Sequence, residues 1–524
     1  MSGSRTKTGC WTCRLRRKKC DENIPTCSSC ASRRLHCYGY GEKPGWMLDK
    51  ENWQQVLDSD EARAIRNAAE RAYNRRRQNN LCAAPGILIQ DLKDLDQPPQ
   101  SLRLDRTWSS CIQTLRDCEY NINYQSVQTF LDVIFPLQWG FFDLHRDQPG
   151  RRWLFDTIVA SEPMYHATSG LCITFEEGLK AGATNGRCEV TTEVRACRIR
   201  AMAGLQSCLA EMGQKRLHIS SLPKAINAVA VILLLASLEI YGETEGAWEV
   251  HQSAAGTVLD LINTQLATSG RTGGGVEQLL ANQTLSFETQ ALEFFVTTYV
   301  WTDIFAEAAL GPSYSKPKKF NYLPLLQRGF IDTRDIMGCS SSIMIAIKEV
   351  SIFAACMRMG QQPEPAESAK ALTLGIQHLT QEADSSFFSS AIGTERDSSW
   401  VTLLHAHAAL LYLQTVMAHE SLTSHLDIHQ TVTVCLELLE ALPPWLLIRV
   451  CLPFTIAGCM SSEDDHARFR AVVQRVEESG CVLGFTWKGL IVMEECWRLR
   501  RCKPESLWWW QTTMEHMNVR ILFI

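Results

Sequence analysis

Strongly apolar runs are short in these 524 residues: the longest, Ala228 to Leu238, stops at Glu239. A spanning helix needs about 20 apolar residues, so this stretch reads as a buried helix and no membrane partner is expected. The chain starts with polar and basic residues, so no secretory leader is expected either. Catalytic signatures are also missing. There is no H-E-x-x-H, no H-x-E beside the cysteines, no G-x-S-x-G and no phosphate loop ending in Gly-Lys-Ser/Thr. The glycines from Gly270 to Gly275 follow no strand and read as a loop. His405 and His407, two apart on a helix, face different directions and read as core or surface residues, not metal partners. An enzyme is therefore not expected. Alternating apolar and polar stretches are few, which argues against a sheet.

What the chain does have is cysteine, 21 in all, and six of them form a pattern. Cys10, Cys13 and Cys20 read C-x2-C-x6-C, and Cys27, Cys30 and Cys37 repeat it 17 residues later. A window this short can hardly bury a core, so thiolate ligation of zinc must supply the folding free energy. Structural zinc takes four ligands, so six sulfurs satisfy two ions only if two sulfurs bridge. If the first cysteine of each half is shared, Cys10 and Cys27 bridge, Cys13 and Cys20 complete one ion, and Cys30 and Cys37 the other. Sulfur then fills every position, which marks the site as structural. A single zinc on Cys10, Cys13, Cys27 and Cys30 would strand Cys20 and Cys37, and a disulfide framework would need an oxidising compartment. The other cysteines are scattered without a second C-x2-C, as expected of buried thiols in a reducing compartment.

Arg14, Leu15, Arg16, Arg17, Lys18 and Lys19 lie between Cys13 and Cys20. Six thiolates and two zinc ions leave a charge of minus two, which offsets part of this positive charge but not all. Arg16 and Arg17 recur as Arg33 and Arg34, while only the first half adds Lys18 and Lys19. The first half is therefore the expected reader of double-stranded DNA. Arg16 and Arg17, with Lys18 beside them, are the candidates for base contact, since arginine takes guanine O6 and N7 with two parallel hydrogen bonds. Arg14, Lys19, Arg33 and Arg34 are the candidates for phosphate contact. Residues 1–80 hold 17 Lys and Arg against 9 Asp and Glu, a balance of +8, whereas the whole chain stands at −5 and the rest at −13. The basic footprint is thus confined to one module. The runs at 14–19 and 75–77 also suit a nuclear localisation signal.

The string from Cys10-Trp11-Thr12-Cys13 through the basic run to Cys20, then Pro25, Cys27, Cys30 and Arg33-Arg34-Leu35-His36-Cys37, resembles the fungal binuclear zinc cluster transcription factors. The resemblance implies that Cys10 and Cys27 bridge, that a short helix after Cys13 enters the major groove, and that targets carry CGG-type triplets. It places base reading on Arg16 and Arg17, where the family commonly has lysine.

The remaining length has room for a large second domain, and 45% apolar with 21% charged residues suits a folded body. Residues 1–9 read as a basic tail, 10–40 as the zinc cluster, 41–100 as a basic, partly helical linker, and 101–524 as an all-helical regulatory domain. In the linker Ile65, Ala68, Ala72 and Tyr73 make too thin a seam for a coiled coil, so a homodimer is allowed but no zipper carries it. In the body, Val472, Val473 and Val476 form one apolar stripe and Trp487, Leu490, Ile491 and Trp497 another. Loops are expected at 269–275, 361–366 and 385–399. Trp508 to Trp510 read as core anchors in preference to an exposed partner site. Three segments resemble the fungal-specific regulatory domain that accompanies this cluster: Phe135-Pro136 with Arg151-Arg152-Trp153-Leu154, Gly338-Cys339 opening a helix, and Gly480 through Met493-Glu494-Glu495-Cys496-Trp497. The expected fold is a small two-zinc module followed by a large all-α regulatory domain. The expected function is sequence-specific regulation of RNA polymerase II genes in the nucleus, with transcription machinery or co-regulators as partners. Control of a secondary-metabolite gene group is a common task of that family. A zinc-folded nuclear scaffold without base-specific binding is the alternative.

Overall fold

Two units follow one another along the chain, Met1–Pro85 and Gly86–Ile524. A computed structural model describes, in the first, residues 9–15, 18, 20–24, 26–27, 30, 37–41, 43–44, 47, 56 and 62. In the second it describes 123–142, 152–181, 191–213, 222–241, 247–268, 275–281, 287–311, 314, 320–360, 365–389, 394–419, 425–479, 486–503 and 507–524. Among the described residues there is no strand.

The first unit contributes α1 (Trp11–Leu15). The second begins with α2 (Tyr124–Thr129), which passes through a π-turn into α3 (Phe135–Gln138). There follow α4 (Arg152–Val159), α5 (Glu162–Ala181), α6 (Thr192–Gly213), α7 (Leu222–Tyr241), α8 (Ala247–Thr268), α9 (Gly275–Ala281) and α10 (Phe287–Leu310). After two short turns come α11 (Ser341–Arg358), α12 (Pro365–Ser389), α13 (Thr394–His419), α14 (His425–Ala441), α15 (Cys451–Met460), α16 (His466–Glu478), α17 (Thr486–Cys502) and α18 (Trp510–Met517). The principal packings are α5 on α6 and α7, α7 on α8 and α10, α13 on α11, α12 and α14, and α15 on α17.

Helix α7 is apolar around its whole circumference, and a helix of that kind must be buried. Every residue from Ala228 to Ile240 is buried, including Glu239, whose carboxylate meets Arg198 of α6 at 2.7 Å. By length and composition Leu222–Tyr241 could cross a membrane, as could Glu395–Ala418, but 83% and 67% of these stretches lie inside the fold. They are core helices. Beside α7 the ring of Phe294 on α10 lies 5.5 Å from Phe135, 4.8 Å from Phe142 and 5.4 Å from Trp153, which gathers α3, α4 and α10 on one aromatic knot.

Three arginines close helix ends, where the last carbonyls have no partner within the helix. Arg449 donates to the carbonyls of Gln138 (2.6 Å), Leu137 (2.5 Å) and Pro136 (3.2 Å) at the end of α3. Arg475 donates to Leu439 and Leu442, both at 2.9 Å, at the end of α14. Arg500 donates to Cys459 (2.9 Å) and Ser461 (2.8 Å) at the end of α15. Each bond joins elements far apart in sequence.

The segments that suggested a regulatory domain sit at such junctions. Trp497 donates its indole N–H to Gly458 O at 2.8 Å and stacks on His466 with ring centroids 3.8 Å apart. Gly338 has φ +90°, and its carbonyl accepts from Ser398 (2.7 Å) and Thr402 (3.2 Å) of α13. A Cβ there would lie 2.4 Å from the Phe141 ring. Gly338→Ala is accordingly expected to destabilise the second unit by about 2–4 kcal/mol, the sum of left-handed strain and a clash. Gly375→Ala, inside α12 with open space around it, should stabilise by about 0.5–1 kcal/mol. Thermal unfolding of the two variants checks both signs; similar midpoints would refute the packing role given to Gly338.

Several expectations are corrected or sharpened. The serine-rich 385–399 stretch is mostly helical: α12 runs on to Ser389 and α13 starts at Thr394. Phe387 and Trp400 meet edge to face at 4.6 Å with the Arg396 guanidinium 3.5 Å over Phe387, and this packing outweighs the serines. On α17 the buried face is Val492, Met493, Cys496, Trp497 and Leu499, while Trp487 is 40% exposed. Trp509 and Trp510 are buried, and Trp510 donates to Ala308 O at 2.9 Å, so they are core anchors. His405 is buried with Nδ1 2.8 Å from Val401 O, and burial pushes its pKa down to about 4, leaving it neutral.

Candidate metal centre and nucleic-acid interface

The six cysteines converge. Cys10, Cys13, Cys20 and Cys27 form one group whose sulfurs all lie within 4.8 Å of one another, and Cys10, Cys27, Cys30 and Cys37 form a second. The two groups share Cys10 and Cys27. Sγ separations of 3.7 Å (Cys10–Cys27), 3.8 Å (Cys10–Cys30) and 3.6 Å (Cys13–Cys27) can be compared with the edge of a zinc tetrahedron. Four sulfurs about 2.3 Å from a zinc ion lie about 3.8 Å apart. Cys13 and Cys30, in different groups, are also only 3.9 Å apart, so the thiols make a single knot.

Local structure builds the knot from each half. The Cys13 amide lies 3.4 Å from the Cys10 sulfur and the Cys30 amide 3.3 Å from the Cys27 sulfur, the same donation in both C-x2-C turns. Burial pushes the thiols of Cys10 and Cys30 up, so these sulfurs ionise only against a cation. Burial also acts upward on Cys20, but the amides of Cys10 and Glu22 and the Tyr40 hydroxyl favour its thiolate and bring it down to about 7. An all-sulfur donor set of tetrahedral dimensions, buried except for the half-buried Cys37, fits zinc.

Helix α1 carries the start of the basic run. Arg14 is exposed, with its guanidinium 4.0 Å over the Trp11 ring, and Lys18 is exposed, its amide donating to Cys13 O at 3.0 Å. Arg16, Arg17, Lys19, Arg33 and Arg34 lie outside the described residues, as does the weak seam at Ile65, Ala68, Ala72 and Tyr73. Sequence reasoning passed over the supports of α1. Thr12 is fully buried and accepts from the Tyr38 amide at 3.0 Å, and the Trp11 indole donates to Gly41 O at 3.0 Å. Trp11 and Leu15 pack with Met47, Val56 and Ala62 in a small apolar cluster. The one visible signal was Leu15, the single apolar residue in the basic run and one helical turn from Trp11.

Comparison with known proteins agrees with this geometry. Residues 8–47 match the fungal Zn(2)-Cys(6) binuclear cluster domain, and residues 125–524 match the fungal specific transcription factor domain. The chain is similar to pestheic acid cluster transcriptional regulator 3 of Pestalotiopsis fici, 24% identical over 96% of each chain. It is similar to the ustiloxin B cluster transcription factor ustR of Aspergillus flavus, 24% identical over the whole of both. It also resembles the trichothecene biosynthesis transcription regulator TRI10 of Fusarium sporotrichioides, 26% identical over 75% of this chain and 96% of that one. No solved structure matches significantly. A knot of six thiols that binds two zinc ions, followed by a helical domain matched over most of its length, places the chain among the fungal Zn(2)-Cys(6) binuclear cluster transcription factors with a fungal-specific transcription factor domain.

Proposed function

We propose that this DNA-binding transcription factor reads CGG-type triplets in the major groove and regulates RNA polymerase II genes in the nucleus. The observation that carries the reading is the pair of four-sulfur groups sharing Cys10 and Cys27, beside helix α1 with Arg14 exposed on it and Lys18 exposed past its end. In this reading Cys10 and Cys27 bridge, Cys13 and Cys20 complete one site, and Cys30 and Cys37 complete the other. When bound, the two zinc ions supply the cross-links that a small apolar core cannot. Arg16 and Arg17 then take guanines bidentately with Lys18 beside them, and Arg14, Lys19, Arg33 and Arg34 hold phosphates. The helical body converts occupancy of a site into recruitment of transcription machinery or co-regulators. The relatives named for pestheic acid, ustiloxin B and trichothecene biosynthesis support a secondary-metabolite gene cluster as the target.

The test is binding of the full-length protein to duplexes that carry CGG triplets or their permutations. Arg17→Gln is expected to reduce discrimination roughly 5- to 150-fold, the equivalent of about 1–3 kcal/mol for one bidentate pair. Lys19→Gln should weaken binding to all duplexes alike and lower the salt slope by about one. Equal effects of both variants on every duplex would sink the assignment, and wild-type protein without any triplet preference would favour the scaffold alternative.

A further inference from the structure

We infer that the chain just after the zinc knot acts as a brace on α1, and that Met47, Val56 and Ala62 are positioning residues for DNA reading; this rests on the triplet-reading function proposed above. Helix α1 has five residues, too few to hold a helical shape or a direction alone. At about 100° per residue its sides point to different neighbours. Cys13 faces the sulfurs. Trp11 and Leu15, one turn apart, lie on the opposite side and are 8% and 1% exposed. They are covered by Met47, Val56 and Ala62, which are 0%, 2% and 0% exposed. Thr12, on a third side, is covered through the Tyr38 amide. What remains open is the side of Arg14, continued by Lys18.

The metal therefore fixes one side of α1 and the brace fixes the other. Thiolate ligation holds Cys10 and Cys13 at the knot but leaves the helix free to tilt about them. A tilt shifts the start of the basic run, from Arg14 to Lys18, whose amide is bonded to Cys13 O, and a bidentate contact tolerates little displacement. The Trp11 amide bonded to Gly39 O and the Trp11 indole bonded to Gly41 O, both at 3.0 Å, tie the departing chain to α1. The Met47 amide bonded to Pro44 O at 2.8 Å turns that chain where Met47 enters the apolar cluster. The reading unit thus includes residues as far as Ala62, although the cysteine pattern ends at Cys37.

The experiment uses full-length protein and measures zinc content together with affinity for CGG-bearing and permuted duplexes. Val56→Asp should retain two zinc ions, lose at least about tenfold in affinity for the CGG duplex, and keep its affinity for permuted duplexes within about threefold. Met47→Ala, which removes packing without burying a charge, should move in the same direction by less, and Val56→Ile should behave as wild type. Unchanged discrimination in Val56→Asp with zinc retained would overturn the brace. Loss of zinc in Val56→Asp and Met47→Ala would also overturn it, since the segment would then support the metal fold and not the direction of α1. If wild-type protein discriminates while the variants show either result, only the brace fails. If wild-type protein does not discriminate, the triplet-reading function fails and the brace with it.

Discussion

Replacing Cys27 with alanine is expected to release both zinc ions and abolish specific DNA binding, whereas replacing Cys37 should leave about one zinc per chain. Cys27 belongs to both four-sulfur groups, and Cys37 to only one. Under the proposed bridging, Cys27→Ala leaves each ion three ligands, while Cys37→Ala leaves Cys10, Cys13, Cys20 and Cys27 as a complete set. Structural zinc contributes about 10–16 kcal/mol to the folding of small metal-dependent modules, far more than the few apolar residues around α1 can replace. Cys10→Ala should match Cys27→Ala for the same reason. Zinc counted by elemental analysis and by mass spectrometry under native conditions distinguishes the cases. One ion retained by Cys27→Ala would remove the bridging role, and the sharing of ligands would have to be reassigned.

The metal centre was legible because ligand arithmetic leaves little freedom: six sulfurs, tetrahedral ions and a repeated spacing narrow the pairing. The all-helical body was legible from periodicity, and α16 packs Val472, Val473 and Val476 inward as the pattern implied. On α17 the same reasoning held for Trp497, which is buried, and for Leu490, which packs on the core, but not for Trp487, which is exposed. The buried side also takes in Val492, Met493 and Cys496, because Met493 and Trp497 close on Gly458 of α15. No window of sequence contains both helices. The arginine caps share this difficulty, since Arg449 closes a helix more than 300 residues earlier in the chain. The brace was hidden for another reason. Met47, Val56 and Ala62 follow no helical or strand period, and one of them is an alanine, so only their common contact with Trp11 and Leu15 reveals them.

Lys348 and Glu307 give the largest effect expected in the second unit. They form a buried ion pair between α11 and α10, with side chains 9% and 8% exposed. One turn earlier on α10, Asp303 is buried and accepts from Tyr322 at 2.6 Å and Tyr314 at 3.2 Å. The Lys348 ammonium lies 5.5 Å from the Tyr322 ring, so it holds its place by charge on one side and by an aromatic face on the other. Lys348→Met would take the Lys348 ammonium away from the buried Glu307 carboxylate, at a cost of about 3–5 kcal/mol. Glu307→Leu combined with Lys348→Met removes both charges and should recover at least about half of that loss, because a well-packed apolar pair often replaces a buried ion pair without penalty. Thermal unfolding of the full chain reads the difference, with the single variant melting at least about 2 °C below the double. The zinc module draws its stability from its metal and not from this core, so both variants should still carry two zinc ions. A double variant as unstable as the single would mean that the two charges are not coupled, and that packing around Lys348 and not its pairing holds α10 to α11.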